Sequence, residues 1–276
     1  MVGVPFDTGT TMRAGTRFGP EAIRSASVML RPYNPAQQTA VFGALSVVDR
    51  GDLHVTPQNG ERTVAQIAEQ LEPVVAAGVR TLVLGGDHSI VLGELRAHAA
   101  VRGPLGLVLL DAHADVWDQY YGERYFHGTP FRRACEEGLL DPSRSLLAGM
   151  RGSVYDDADV QAQLELGFEV LTLDELVALS PAEYGARIRQ RAGESPLFLS
   201  FDIDVLDPAF APGTGTPEAG GLTTREALGY LRALAGLSFS GFDVVEVSPP
   251  YDGPGQQTAI AAANVAYELL TLAARA

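Results

Sequence analysis

The chain contains no lysine: all 20 of its basic residues are arginine, set against 34 Asp and Glu. That absence excludes the chemistry that needs a lysine amine, namely Schiff-base and pyridoxal-phosphate catalysis and the P-loop mode of nucleotide binding. The acidic surplus, a formal net charge of −14 over 276 residues with a pI near 4.7, argues against nucleic acid or an anionic membrane as partner. It favours cationic partners instead. Cysteine is almost as scarce. Cys135 is alone, which permits no internal disulfide and fits a reducing compartment. No apolar run reaches the length of a membrane span, and the opening MVGVPFD lacks the basic and long apolar regions of a signal peptide. The expectation is a soluble, cytoplasmic protein. What is abundant is core-forming material: 46% of residues are hydrophobic and only 20% charged, which excludes wholesale disorder.

Short apolar runs alternate with longer amphipathic ones. Strands are expected at Val2–Pro5, Leu45–Asp49, Thr81–Leu84, Leu105–Asp111, Ser145–Gly149, Glu169–Leu173, Leu197–Asp202 and Gly241–Val247. Most are apolar throughout, as strands covered on both faces are. Helices are expected at Pro20–Leu30, Thr63–Ala77, Ile90–Ala100, Pro130–Glu137, Asp174–Leu179, Pro181–Arg191, Thr223–Ala235 and Thr258–Ala273, with Pro73 kinking or dividing the second. Such alternation implies an α/β fold, a parallel sheet with helices on both faces. With no repeat or linker, residues 1–276 read as one domain whose first strand is left uncovered at its edge.

Ligands of such sheets gather beyond the carboxyl ends of the strands. Polar residues cluster there. LVLGGDHSI supplies Asp87 and His88, LVLLDAHAD supplies Asp111, His113 and Asp115, LFLSFDIDVLD supplies Asp202, Asp204 and Asp207, and GFDVVEVSPPYD supplies Glu246. In an extended strand the every-second-residue spacing puts Asp111, His113 and Asp115 on one face, and likewise Asp202 and Asp204. Taken singly, His88 reads as structural and Asp202–Asp204 as loop capping. Taken together, Asp111, Asp115, Asp202 and Asp204 at the mouth of a low-dielectric sheet would repel one another at a heavy desolvation cost. These segments hold no arginine. Two divalent cations would offset the four charges, with two imidazoles completing the ligand set. Oxygen-rich donors without sulfur point to Mn²⁺ first, with Zn²⁺, Fe²⁺, Co²⁺ or Ni²⁺ as alternatives. A pair of such ions can supply hydroxide near neutral pH, which is a hydrolase's nucleophile.

GGDHS, DAHAD and SFDIDVLDPAFAPGTGTPEAGG resemble the metal-site motifs of the ureohydrolases, the family of arginase and agmatinase, and the similarity runs over nearly the whole chain. The resemblance implies an arginase-type three-layer α/β/α sandwich around an eight-stranded, mostly parallel sheet. It implies two Mn²⁺ per chain, one held by His88, Asp111, Asp115 and Asp202, the other by Asp111, His113, Asp202 and Asp204. It further implies that His127, in YFHGTPF, shuttles protons, that Glu246 holds the substrate's guanidinium, and that Asp115 passes a proton to the leaving amine. The products would be urea and an amine, and the assembly a homo-oligomer, a trimer or hexamer.

Within that family VWDQYYGERYF (116–126) resembles agmatinases rather than arginases, so agmatine, giving urea and putrescine, is the expected substrate. Asp118 and Glu123 would attract its second cation, and Trp117, Tyr120 and Tyr121 would wall its butyl chain, though Trp117 and Tyr120 equally read as core cover. Arg124 turned inward would instead favour 4-guanidinobutyrate, which makes a guanidinobutyrase or another guanidino-acid hydrolase the nearest rival. A single-zinc deacetylase would not need both histidines and four Asp. A non-catalytic metal-binding protein would not need His127 and Glu246. His54 and His98 read as surface or capping residues, and Cys135 as packing.

Overall fold

A computed structural model describes residues Met1–Ala276. Its strands are β1 (Val2–Gly3), β2 (Tyr33–Asn34), β3 (Thr39–Ala40), β4 (Thr81–Leu84), β5 (Gly106–Leu110), β6 (Leu146–Met150), β7 (Glu169–Thr172), β8 (Leu197–Asp202) and β9 (Phe239–Val245). Its helices are α1 (Gly19–Ser27), α2 (Val41–Ala44), α3 (Gly60–Ala76), α4 (Val91–Arg102), α5 (Pro130–Glu136), α6 (Asp157–Glu165), α7 (Leu173–Ala178), α8 (Pro181–Ala192), α9 (Thr224–Arg232) and α10 (Gln257–Ala274). Seven strands form one parallel sheet in the order β1-β4-β9-β8-β5-β6-β7, while β2 and β3 make a separate antiparallel hairpin.

The continuous apolar runs serve two cores at once, because successive side chains leave opposite faces of the sheet. Leu82, Leu84, Val108, Leu110, Leu199, Phe201, Phe242 and Val244 pack with residues of α1 and α7 to α10. The residues between them face the other way: Leu107, Leu109, Leu147 and Phe198 meet α4 and α5, and Val83 and Val245 meet Ile67 and Leu71 of α3. The sheet is thus sandwiched between two helical layers, and no helix is long and apolar enough to cross a membrane.

The sheet has seven strands, one fewer than expected. Leu45–Asp49 is not a strand; the chain pairs with β1 a few residues later, through Gly3 N–H to Gly51 O and Leu53 N–H to Gly3 O, both 2.9 Å. Arg24 of α1 grips Asp49 (2.8 Å) and Asp52 (2.6 Å), and Gly51 has a left-handed φ of +76°, so this stretch is a tethered turn rather than a ladder. It also covers the edge of β1 that the sequence seemed to leave bare. Pro73 does not divide α3: it lies in the last turn, where its missing N–H costs one hydrogen bond just before the helix ends.

Candidate metal centre

The carboxyl ends of the four central strands β4, β9, β8 and β5 converge, and each delivers polar residues. After β4 the chain turns through Gly85 and Gly86; a Cβ on Gly86 would sit 1.8 Å from Phe6 O, so only glycine lets the turn pass. Asp87 then accepts from Ser89 N–H (3.0 Å) and Gly9 N–H (2.8 Å), and fixes His88 at the start of a short turn. Burial and nearby Glu246 push Asp87 up to about 7.

The alternation that suggested one strand face is not how Asp111, His113 and Asp115 meet. β5 ends at Leu110 and the next residues form a loop in which Asp111 Oδ1 accepts from His113 N–H (2.6 Å) and Asp115 takes a left-handed φ of +50°. Asp202 closes β8 and Asp204 lies in the following turn, where its N–H donates to Asp202 Oδ1 (2.8 Å). Carboxylates bonded to the backbone two residues on, rather than a pleat, put these groups together.

Two ligand groups result. His88 Nδ1 lies 3.1 Å from Asp111 Oδ2, 3.0 Å from Asp115 Oδ2 and 3.2 Å from Asp202 Oδ2. His113 Nδ1 lies 3.0 Å from Asp204 Oδ2 and 3.5 Å from Asp111 Oδ1. Asp111 therefore belongs to both groups through different oxygens, and Asp202 Oδ2 lies with the first. One imidazole nitrogen cannot serve three carboxylates as a donor. Its other nitrogen, Nε2, meets Ser200 Oγ at 2.8 Å, and Ser200 in turn donates to Asp243 Oδ1 at 2.7 Å. With a cation among the carboxylates, that order would place the His88 proton on Nε2 and leave the Nδ1 lone pair for the ion. His88 Nδ1 and Asp111 Oδ2 are buried without a hydrogen-bond partner, as atoms meant to coordinate a cation would be. The residues present fit divalent metal ions with oxygen and nitrogen ligands.

Charge crowding shifts the proton affinities across the cluster. Burial, then Asp204 and Asp115, push Asp111 up to about 6, and burial with Asp204 and Asp111 drives Asp202 well above its ordinary value. Burial opposes charge on His88 and His113, yet the surrounding carboxylates hold both pKa values well above normal. Behind Asp243, Glu94 of α4 is buried with neither carboxyl oxygen partnered; burial and Asp243 raise its pKa well above normal.

Glu246 follows β9 with a left-handed φ of +63°, an uncommon conformation for a non-glycine residue and one that clusters at functional sites. Its Oε1 accepts from His88 N–H (2.9 Å) and His127 Nδ1 (3.0 Å), while Oε2 is buried and unpartnered. Burial opposes charging of His127, but Glu246 raises its pKa. The ring's Nε2 meets Thr11.

A cavity of about 630 Å³ opens on this centre, lined by Asp115, His127 and Asp202 at one end and by Val154, Tyr155, Asp159 and Gln163 from the chain around α6. Trp117 and Tyr120 line it, stacked 5.6 Å apart, with Tyr155 beside Trp117 at 5.6 Å. Tyr121 does not; it is 91% exposed. Nor do the acids expected to attract a cation line it. Asp118 is paired with Arg133 at 2.6 Å, and Glu123 is exposed; Asp159 and Glu218 line the cavity in their place. Arg124 turns outward to Glu136 at 2.9 Å. The cavity's arginine is Arg151, whose guanidinium donates to the carbonyls of Asp204 (2.7 Å), Val205 (3.2 Å), Glu218 (2.8 Å) and Ala219 (3.3 Å). Thr11, Arg151, Ser200, Asp243 and Gln163 were not foreseen from the sequence: Ser200 and Asp243 lie within the quoted motifs but act through distant partners, and the other three belong to no such motif. His54 is exposed as expected, but His98 is not a surface residue: it is fully buried against Thr81 Oγ1 at 2.8 Å. Cys135 packs on the core of α4 and α5, and burial pushes its thiol up to about 12.

A parallel α/β/α sandwich whose central strands end in two ligand groups defines the class, and comparison places the chain within it. The model of the arginase family matches residues 1–271, and the chain belongs to that family. It is 48% identical to a guanidinobutyrase of Pseudomonas aeruginosa over 98% of this chain and 84% of that protein, and 47% identical to a mitochondrial agmatinase of Gallus gallus over 98% and 79%. Among solved structures, the proclavaminate amidino hydrolase of Streptomyces clavuligerus superposes with a TM-score of 0.92 at 42% identity, over 99% of this chain and 90% of that one. The protein is a ureohydrolase, an enzyme acting on guanidino C–N bonds.

Proposed function

We propose that the protein hydrolyses agmatine to urea and putrescine at a centre of two Mn²⁺ ions. His88, Asp111, Asp115 and Asp202 would hold one ion, and Asp111, His113, Asp202 and Asp204 the other. The pair supplies Lewis acidity and water acidified toward neutral pH. The protein's own groups do the rest. Glu246 Oε2, buried and free, accepts from the planar guanidinium and orients its carbon, a charge-assisted contact. Asp115, itself one of the ligands, passes a proton to the leaving nitrogen, and His127 exchanges protons with the solvent. Trp117, Tyr120 and Tyr155 wall the alkyl chain.

The observation that carries agmatine over a guanidino acid is the charge of the cavity wall. Its arginine, Arg151, has its donors committed to backbone carbonyls, and the acids Asp159 and Glu218 face the space with it. That lining suits a second ammonium and leaves a carboxylate without a free cationic partner. A second reading, 4-guanidinobutyrate, is favoured by the 48% identity to a guanidinobutyrase. Urea release from agmatine, arginine and 4-guanidinobutyrate with added Mn²⁺ decides between them. The expected order of kcat/KM puts agmatine first, and a preference for either acid overturns the assignment.

A further inference from the structure

His127 borders the cavity but is only 8% exposed, and its Nε2 is directed at Thr11. The geometry points to the Thr11 hydroxyl as the proton's exit: we propose that it relays protons between His127 Nε2 and cavity water. Glu246 Oε1 is an acceptor, so His127 Nδ1, 3.0 Å away, carries a proton in the resting ring. Its Nε2 faces two polar groups of Thr11, the backbone N–H at 3.2 Å and Oγ1 at 2.9 Å. A backbone N–H can only donate, so it matches an Nε2 lone pair and opposes an Nε2–H; a hydroxyl can donate or accept. When Nε2 gains a proton, the N–H turns repulsive and Oγ1 remains as the acceptor. Glu246 on the other side favours the charged ring, so the opposed N–H offsets part of that hold, and Oγ1 is the oxygen placed to take the Nε2 proton.

Thr11 is placed to pass it on. Both residues line the cavity, but Thr11 is exposed whereas His127 is only 8% exposed. Its loop is tied to the site at two points, His127 N–H to Gly9 O (3.0 Å) and Gly9 N–H to Asp87 Oδ2 (2.8 Å). In the relay step the Nε2–H bond breaks as Oγ1 accepts that proton, and the hydroxyl's own proton leaves to water; Thr11 ends unchanged. Guanidinium and water giving urea and an ammonium conserves charge, so a proton sent outward in one half of the cycle returns in the other.

The relay rests on the hydrolysis proposed above, and its test separates the two. Thr11→Val keeps the backbone N–H and the side-chain shape but removes the hydroxyl. Its kcat with Mn²⁺-loaded enzyme should fall about tenfold or more, short of the roughly 10²- to 10⁴-fold scale of losing a general acid–base itself. KM and bound metal should not change, small buffers such as imidazole should restore kcat, and Thr11→Ser should act like the parent. An unchanged kcat in Thr11→Val overturns the relay, as does a loss that buffer does not restore and that comes with altered KM or metal content. If the parent enzyme releases no urea from any guanidino compound, the reading of the reaction fails instead.

Discussion

Asp111 shows how one side chain ties the centre together. Its Oδ2 belongs to the His88 group and its Oδ1 to the His113 group, and it is fully buried. Asp111→Asn removes a charge that both groups share, so both ions should be lost together and urea release abolished. Elemental analysis of the unaltered protein should find about two divalent ions per chain, as a binuclear hydrolase requires; one ion retained by the variant would contradict the shared role. At this scale the sequence was informative. His88, Asp111, His113, Asp115, Asp202, Asp204 and Glu246, named from the strand-end motifs, and His127, named from the family resemblance, lie together around one centre and its cavity. Their partners were not legible, because Ser200 and Asp243 act through contacts 112 and 43 residues apart in sequence. Thr11 reaches His127 across 116 residues. No local spacing encodes such pairs.

Among the elements, the strands with continuous apolar runs and the helices with an apolar stripe were legible. Helix α6 was not: Gln163 is its one buried residue, so it has no stripe to read and is started by the Asp156 side chain accepting from Ala158 N–H. It matters because it lines the cavity. The expected strand at Leu45–Asp49 failed for the opposite reason: its apolar residues look like a strand, but side-chain ties from Arg24 decide the local path. His98 of α4, packed against β4 through Thr81, yields a prediction. Burial, then Arg102, push it down to about 4 from an ordinary 6.5. Below pH 6.5 the unfolded chain binds a proton that the folded chain refuses, so stability falls with acid until about pH 4, by up to about 3 kcal/mol in all. Removing the titrating ring in His98→Gln should flatten that decline. Urea unfolding of both metal-free proteins across this window checks it, and parallel declines would show that His98 is not the group responsible.

For the whole molecule the acidic excess acts at a distance. A net charge of −14 gathers cations around the protein, and the cavity mouth adds Asp159 and Glu218 to that field. Agmatine is a dication near neutral pH, arginine carries one net positive charge, and 4-guanidinobutyrate is a zwitterion with none. Long-range attraction therefore ranks the three by net charge before any contact is made, and the advantage belongs to encounter rather than to the chemical step. Salt should remove it. Between roughly 0.01 and 0.15 M the screening length falls from about 30 to about 8 Å, short of the distances over which the surface charge acts. The kcat/KM for agmatine should fall over that range while kcat stays level. The value for 4-guanidinobutyrate should change little, and arginine should lie between them. Measuring all three substrates in the same buffer series separates steering from specific contacts. Equal salt dependence for the dication and the zwitterion would show that the molecule's charge serves some end other than substrate capture.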